Sequence, residues 1–342
     1  MNIVVLMGGL SPERDVSLTS GSLIANALIR KGHRVCLLDV YLGMQLSQKG
    51  DMEECFVTAP YPAHSVSEQV PDLEALKAAS GNGEAKIGAN VIELCKYADV
   101  VFMALHGDMG ENGQLQATLD AFGIRYTGSG YVGSLLAMDK DLSKKILVGA
   151  GVPTPEWIMV DPAQGISEAA FASIGYPCVV KPCSGGSSVG VSMVENAAEL
   201  ADAMAAAAKY ERYVLVEKRI VGRELTVGIL AGEVLPAIEI IPKQGFYDYT
   251  NKYQGGMTEE ICPAQIDEDT RVLVGELTRR AFEALRLGGY ARFDWMLDAN
   301  GGLWCLEANT LPGMTPTSLL PQMAAEIGLD YDSLCERLVQ LA

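Results

Sequence analysis

The stretch GGYARFDWMLDANGGLWCLEAN, residues 288–309, carries four side chains suited to handling cations and anionic oxygen: Arg292, Asp294, Glu307 and Asn309. Asn300-Gly301 is the preferred dipeptide of a two-residue type I′ turn. Folded about it, with Ala299 opposite Gly302, the stretch becomes a hairpin with Asp294 opposite Glu307 and Arg292 opposite Asn309. Strand side chains alternate with period two, so these four leave one face. Phe293, Trp295, Leu297, Trp304, Leu306 and Ala308 leave the other, an apolar set suited to a core. Two directly opposed carboxylates repel and call for positive charge between them. Hard oxygen ligands suit Mg²⁺ or Mn²⁺. The alternative is a solvated face on which Arg292 neutralises Asp294.

A second stretch, VVKPCSGGSSVGV (179–191), pairs a lysine with a glycine-serine loop. Its order is the reverse of the P-loop GxxxxGK[ST], because Lys181 precedes the glycines. Small residues let backbone N–H groups approach anionic oxygens closely, although a surface turn has the same composition. A phosphate-type loop and a carboxylate face in one chain favour the metal reading, since Mg²⁺ is usually held by few carboxylates plus nucleotide phosphates. Cys183 beside the loop reads as a small filler.

These residues need a scaffold. The chain has 342 residues, 49% hydrophobic and 20% charged, enough for two or three domains of a folded protein. A net charge of −17 without a basic block argues against nucleic acid. Eight cysteines without a CxxC pair fit reduced thiols in the cytoplasm. Neither a signal peptide nor a membrane-length apolar run is expected. NIVVLM, a Gly8-Gly9 turn, a helix over about 18–31 and RVCLLDV open a doubly wound α/β domain, joined by strand 98–107, helix 113–123 and a short strand IRYTGSG. Residues 41–90 read as an insertion with one or two helices. Short β runs then dominate from WIMVD to VLPAIEII, with one strong helix at 196–209, as in antiparallel α+β sheets. Val274, Leu277, Ala281 and Leu285 mark a long amphipathic helix.

With GGLSPERDVS, ALHGDMGENG, AMDK, VEKRIVGRELTV, FYDYTNKY and LEANTLPGMTPTSL also present in order, the chain resembles the D-alanine–D-alanine ligases of the ATP-grasp superfamily over residues 1–40 and about 97–342. The resemblance implies a Rossmann-like (pre-ATP-grasp) domain over 1–128, followed by a two-subdomain ATP-grasp fold over 129–212 and 213–342. It also implies ATP-driven joining of two D-alanines through an acyl phosphate, for peptidoglycan precursors, by a cytoplasmic homodimer. Lys140 and Lys181 would contact phosphates, Glu217 and the backbone at Lys218 the adenine, Glu224 the ribose, and Lys252 the γ-phosphate. Asp294, Glu307 and Asn309 would hold two Mg²⁺ or Mn²⁺ ions. Glu13 would bind the first D-alanine's ammonium beside His106, and Ser318 and Leu319 the second substrate's carboxylate. Arg292 and the N–H of Gly313 would stabilise the oxyanion. Ser187, Tyr253 and Ser17 would link loop closure to Glu13, with residues 242–256 as a lid. A D-alanine–D-lactate ligase, a nucleotide-binding protein without ligase activity, and another ATP-grasp carboxylate ligase are the alternatives; tolerance of D-serine stays open.

Overall fold

The computed structural model describes residues 1–47, 49–64, 71–186, 189–243 and 258–342. Three sheets organise them. Strands β1 (Asn2–Met7), β2 (Arg34–Asp39) and β3 (Val100–Met103) form a parallel sheet in the order β2-β1-β3. β1 and β3 are apolar along most of their length and buried, as parallel strands covered on both faces must be. The expected strand at IRYTGSG contributes only a bridge, Val101 to Tyr126. Within 41–90 the described elements are a 3-10 turn, Lys49–Cys55, and one helix, Leu73–Ser80; helix Val91–Tyr97 follows directly after it.

A four-stranded antiparallel sheet follows: β4 (Trp157–Val160), β5 (Cys178–Pro182), β6 (Ser192–Val194) and β7 (Val214–Lys218), in the order β4-β7-β5-β6. Helix Ala197–Ala207 covers it through Ala203 and Ala207. β7 belongs to this sheet although the expected division falls at 212/213.

The last sheet is antiparallel, built from β8 (Gly222–Leu230), β9 (Glu233–Val234), β10 (Ile238–Pro242), β11 (Thr258–Ile261), β12 (Tyr290–Asp298) and β13 (Leu303–Asn309). Its apolar face, with Phe293 and Trp295, packs under helix Glu268–Ala284, whose Val274, Leu277 and Ala281 form the predicted stripe. The terminal helices, Leu319–Glu326 and Tyr331–Gln340, return to the first domain. Arg30 forms a two-pronged ion pair with Asp332, at 2.7 and 2.6 Å. Leu320, Met323, Leu334 and Leu338 join the core of the parallel sheet.

All eight cysteines are free thiols. Among the described residues no helix is long and apolar enough to cross a membrane.

Candidate active site

The β12–β13 hairpin places Arg292 opposite Asn309 and Asp294 opposite Glu307, as expected. The route differs. Asp298 N–H donates to Gly302 O, leaving a three-residue loop with Gly301 at φ +81°, where a side chain would be strained. Near the turn Leu297 pairs with Leu303 and Trp295 with Cys305, so the register there is one residue off the predicted one. A bulge at Leu306 restores it before the carboxylates. The faces of β13 therefore change at the bulge. Leu303 and Cys305 enter the core in place of Trp304 and Leu306. Leu306 turns into the cleft with Met296, and Trp304 donates to Asp298 at 2.8 Å.

Asp294 is buried and surrounded by donors. Arg292 grips it with two bonds, at 3.0 and 2.9 Å. Thr226 Oγ1 adds one at 2.7 Å and Asn309 Nδ2 one at 3.1 Å. Arg292 thus does neutralise Asp294, and Glu307 lies 3.7 Å from Lys140 Nζ. The residues that remain to offer oxygen, Glu307, Asn309 and Asp294, form a hard donor set. Among the described residues no group of three or more side chains is arranged as a ready-made metal cage. A partial set completed by phosphate oxygens is the arrangement Mg²⁺ prefers.

Between the two antiparallel sheets lies a cleft of about 480 Å³. Lys140, Lys181, Glu217, Lys218, Glu224 and Glu307 all line it. Lys140 is the first residue of helix Lys140–Gly149, started by Asp139, whose side chain accepts from Leu142 N–H. Lys140 Nζ donates to Gly185 O at 2.7 Å. Lys181 Nζ meets Glu217 at 2.5 Å, and Lys144, four residues beyond Lys140, meets the other Glu217 oxygen at 2.8 Å. Burial acts to raise the Glu217 carboxyl, but Lys144 and Lys181 overcome it and hold the group at about 2. Burial lowers Lys144, and Glu217 opposes that. The Glu217 carboxylate is thereby committed to two lysines. No motif marks Lys144 in the sequence, although its i,i+4 spacing from Lys140 puts both on one helix face.

The first domain supplies a second cavity wall. Glu13, the residue before helix Arg14–Arg30, is buried. Its carboxylate lies between two glycines: a Cβ on Gly107 would meet Glu13 Oε2 at 2.7 Å, and one on Gly186 at 3.4 Å. His106 is buried, with Nδ1 donating to Leu311 O at 3.1 Å and Nε2 3.5 Å from Ser20 Oγ. Burial lowers its pKa against the pull of Glu13. Glu111 accepts from Gly107 N–H at 2.6 Å and Leu311 N–H at 3.3 Å. Burial and the Glu13 charge push its carboxyl up to about 8. His106 and Glu111 so hold both polar groups of Leu311, two residues before Gly313. Tyr331 donates to Met314 O at 2.8 Å on the other side. Ser318, ahead of helix Leu319–Glu326, accepts from Thr315 N–H at 3.1 Å and packs against Gly313.

Ser17 Oγ instead joins Gly8 N–H, at 2.8 Å, to Ala104 O, at 2.6 Å, tying the ends of β1 and β3. Burial pushes the Cys183 thiol up to about 12, in keeping with a filler. Ser187, Lys252 and Tyr253 lie outside the described residues.

Two family models match the chain, described as D-ala D-ala ligase N-terminus over residues 2–129 and D-ala D-ala ligase C-terminus over 146–340. A D-alanine–D-alanine ligase of Pediococcus pentosaceus is 40% identical, covering 99% of this chain and 97% of its own. That of Gloeobacter violaceus is 39% identical, covering 99% and 98%. Among solved structures, the Bacillus anthracis D-alanine–D-alanine ligase complexed with ATP has a TM-score of 0.76 at 31% identity, covering 100% of this chain and 96% of its own. The VanG D-Ala:D-Ser ligase of Enterococcus faecalis has a TM-score of 0.76 at 27% identity, covering 99% and 98%. Matched by these two models over most of its length and by such relatives over nearly all of it, the chain belongs to the D-alanine–D-alanine ligase family.

Proposed function

We propose that the protein joins two D-alanines into D-alanyl-D-alanine at the expense of ATP, supplying peptidoglycan synthesis. The observation that carries the reading is the approach of Gly186 to Glu13. It sets an anionic pocket for a substrate ammonium against the loop that covers the nucleotide phosphates.

The first D-alanine is held with its ammonium at Glu13 and its carboxylate toward the cleft. A carboxylate oxygen attacks the γ-phosphorus, the bond to the bridging oxygen breaks, and ADP leaves. Lys140 and Lys181 neutralise phosphate charge, which is most of what phosphoryl transfer asks of a protein. Lys181 trades part of its contact with Glu217 for the nucleotide, while Lys144 keeps Glu217 satisfied. The adenine rests at the backbone of Glu217 and Lys218, the ribose at Glu224, and Lys252 reaches the γ-phosphate. Asp294, Glu307 and Asn309 would hold Mg²⁺ or Mn²⁺, two ions in all, which when bound screen the phosphate oxygens.

The second D-alanine places its carboxylate at Ser318 and the N–H of Leu319, at a helix start. Its neutral amine attacks the acyl carbon, and Arg292 and Gly313 N–H stabilise the oxyanion. The intermediate collapses with loss of phosphate, and the amine gives up its proton. Ser187 and Tyr253 couple closure to Glu13. A cytoplasmic homodimer completes the reading. An assay of ADP release with D-alanine, D-lactate or no acceptor tests it: release that needs D-alanine supports the ligase, and release independent of any acceptor refutes it.

A further inference from the structure

The loop that begins at Ser184 is gripped from below by residues that no step above uses. Glu211, in the turn between helix Ala197–Ala207 and β7, accepts from Ser184 N–H at 2.6 Å and from Ser184 Oγ–H at 2.8 Å. Both carboxylate oxygens are engaged by one residue. The neighbouring Tyr210 closes the far end of the loop: a Cβ on Gly190, which has φ +74°, would meet the Tyr210 ring at 2.9 Å and Pro182 at 3.0 Å. The turn is itself anchored, because Arg212 donates twice to Asp161, at 3.1 and 3.0 Å, just past β4. Beside Ser184, Lys140 holds Gly185 O and Met138 Sδ receives Gly185 N–H at 3.3 Å.

We infer that Glu211 is a positioning residue for the nucleotide-phosphate loop, acting through Ser184. The inference rests on the nucleotide reading of the cleft. A carboxylate this close to bound phosphate repels it unless its charge is spent elsewhere. Two hydrogen bonds to Ser184 spend it, and they also withdraw both Ser184 donors from the phosphates. With Gly185 N–H given to Met138, phosphate contacts begin beyond Gly185, and Glu211 fixes where the loop sets out. Bonds to an ionised acceptor are stronger than neutral ones, so the anchor is stiff.

The test uses the full-length enzyme and three variants, Glu211→Ala, Ser184→Ala and the double variant, with melting curves recorded for each. Glu211→Ala should raise the KM for ATP about tenfold or more, well beyond any fall in kcat, and leave the KM for D-alanine within twofold. The double variant should be no worse than Glu211→Ala alone, because both changes break one link. An unchanged KM for ATP in a folded Glu211→Ala protein overturns the inference, as do effects of the two single changes that multiply. Should Glu211→Ala not fold, Ser184→Ala decides: a selective rise in the KM for ATP supports the link, and no rise refutes it. Lys181→Met separates the two readings. If it loses ATP use while Glu211→Ala does not, only this inference fails, and if neither changes, the nucleotide site itself is misplaced.

Discussion

Replacing Glu217 by glutamine keeps the shape of the side chain and removes the charge shared by Lys144 and Lys181. The cost follows from the site. A buried carboxyl held at about 2, against an ordinary 4.5, contributes about 3 kcal/mol at neutral pH. The substitution also leaves two lysine ammonium groups facing each other, Lys144 in the fully buried position. Breaking one partner out of a buried pair typically costs about 3–5 kcal/mol, which agrees. For a chain of this size each kcal/mol lowers Tm by roughly 2 °C, so a drop of about 6–10 °C is expected in thermal melts at pH 7. The sign with pH is set by the depressed pKa. The contribution is fully present above about 4.5 and is lost as pH falls toward about 2, so parent and variant curves should converge on acidification. ATP with Mg²⁺ should restore part of the loss, because phosphate replaces the missing anion at Lys181. A Glu217→Gln protein that melts with the parent at pH 7 would refute the reasoning, and so would a gap that persists unchanged to pH 3.

Glu307→Gln should fold normally and melt close to the parent without metal, since it removes a carboxylate opposite Asp294; its ATP turnover should fall at least about a hundredfold. Near-normal turnover would remove Glu307 from the metal set. Glu111, with its carboxyl raised to about 8, favours the folded state while protonated, so its contribution is lost as pH rises from about 4.5 to 8. Glu111→Gln should flatten the decline of Tm across that window, and equal slopes would show that Glu111 does not titrate there. Acceptor choice is the remaining test. The resemblance implies a lid tyrosine, Tyr253, over the second substrate; uncharged, it does not repel a cationic amine, so D-alanine should be used and D-lactate barely. Tyr253→His should shift the ratio toward ester formation, most at acidic pH where imidazole is charged, and efficient ester synthesis by the parent would sink the claim.

The carboxylate face was legible in the sequence because strand alternation is local: types and spacing alone put Arg292, Asp294, Glu307 and Asn309 on one side. The parallel opening sheet, the helix of Val274, Leu277 and Ala281, and the lysine ahead of the glycine loop were legible for the same reason, as patterns written over a few adjacent residues. The hairpin also shows the limit of that method. A three-residue turn and a bulge cancel at the carboxylates, yet between them they exchange the faces of Trp304 and Cys305, and neither offset has a periodic signature. Other residues are defined only by partners far along the chain. Lys144 becomes the counter-charge of Glu217, His106 and Glu111 close on Leu311, and Glu211 reaches back to Ser184. Such contacts depend on where three sheets come to rest against each other. Burial at those junctions, which no single strand or helix contains, sets the pKa values and decides which charges are spent on structure and which remain for substrate.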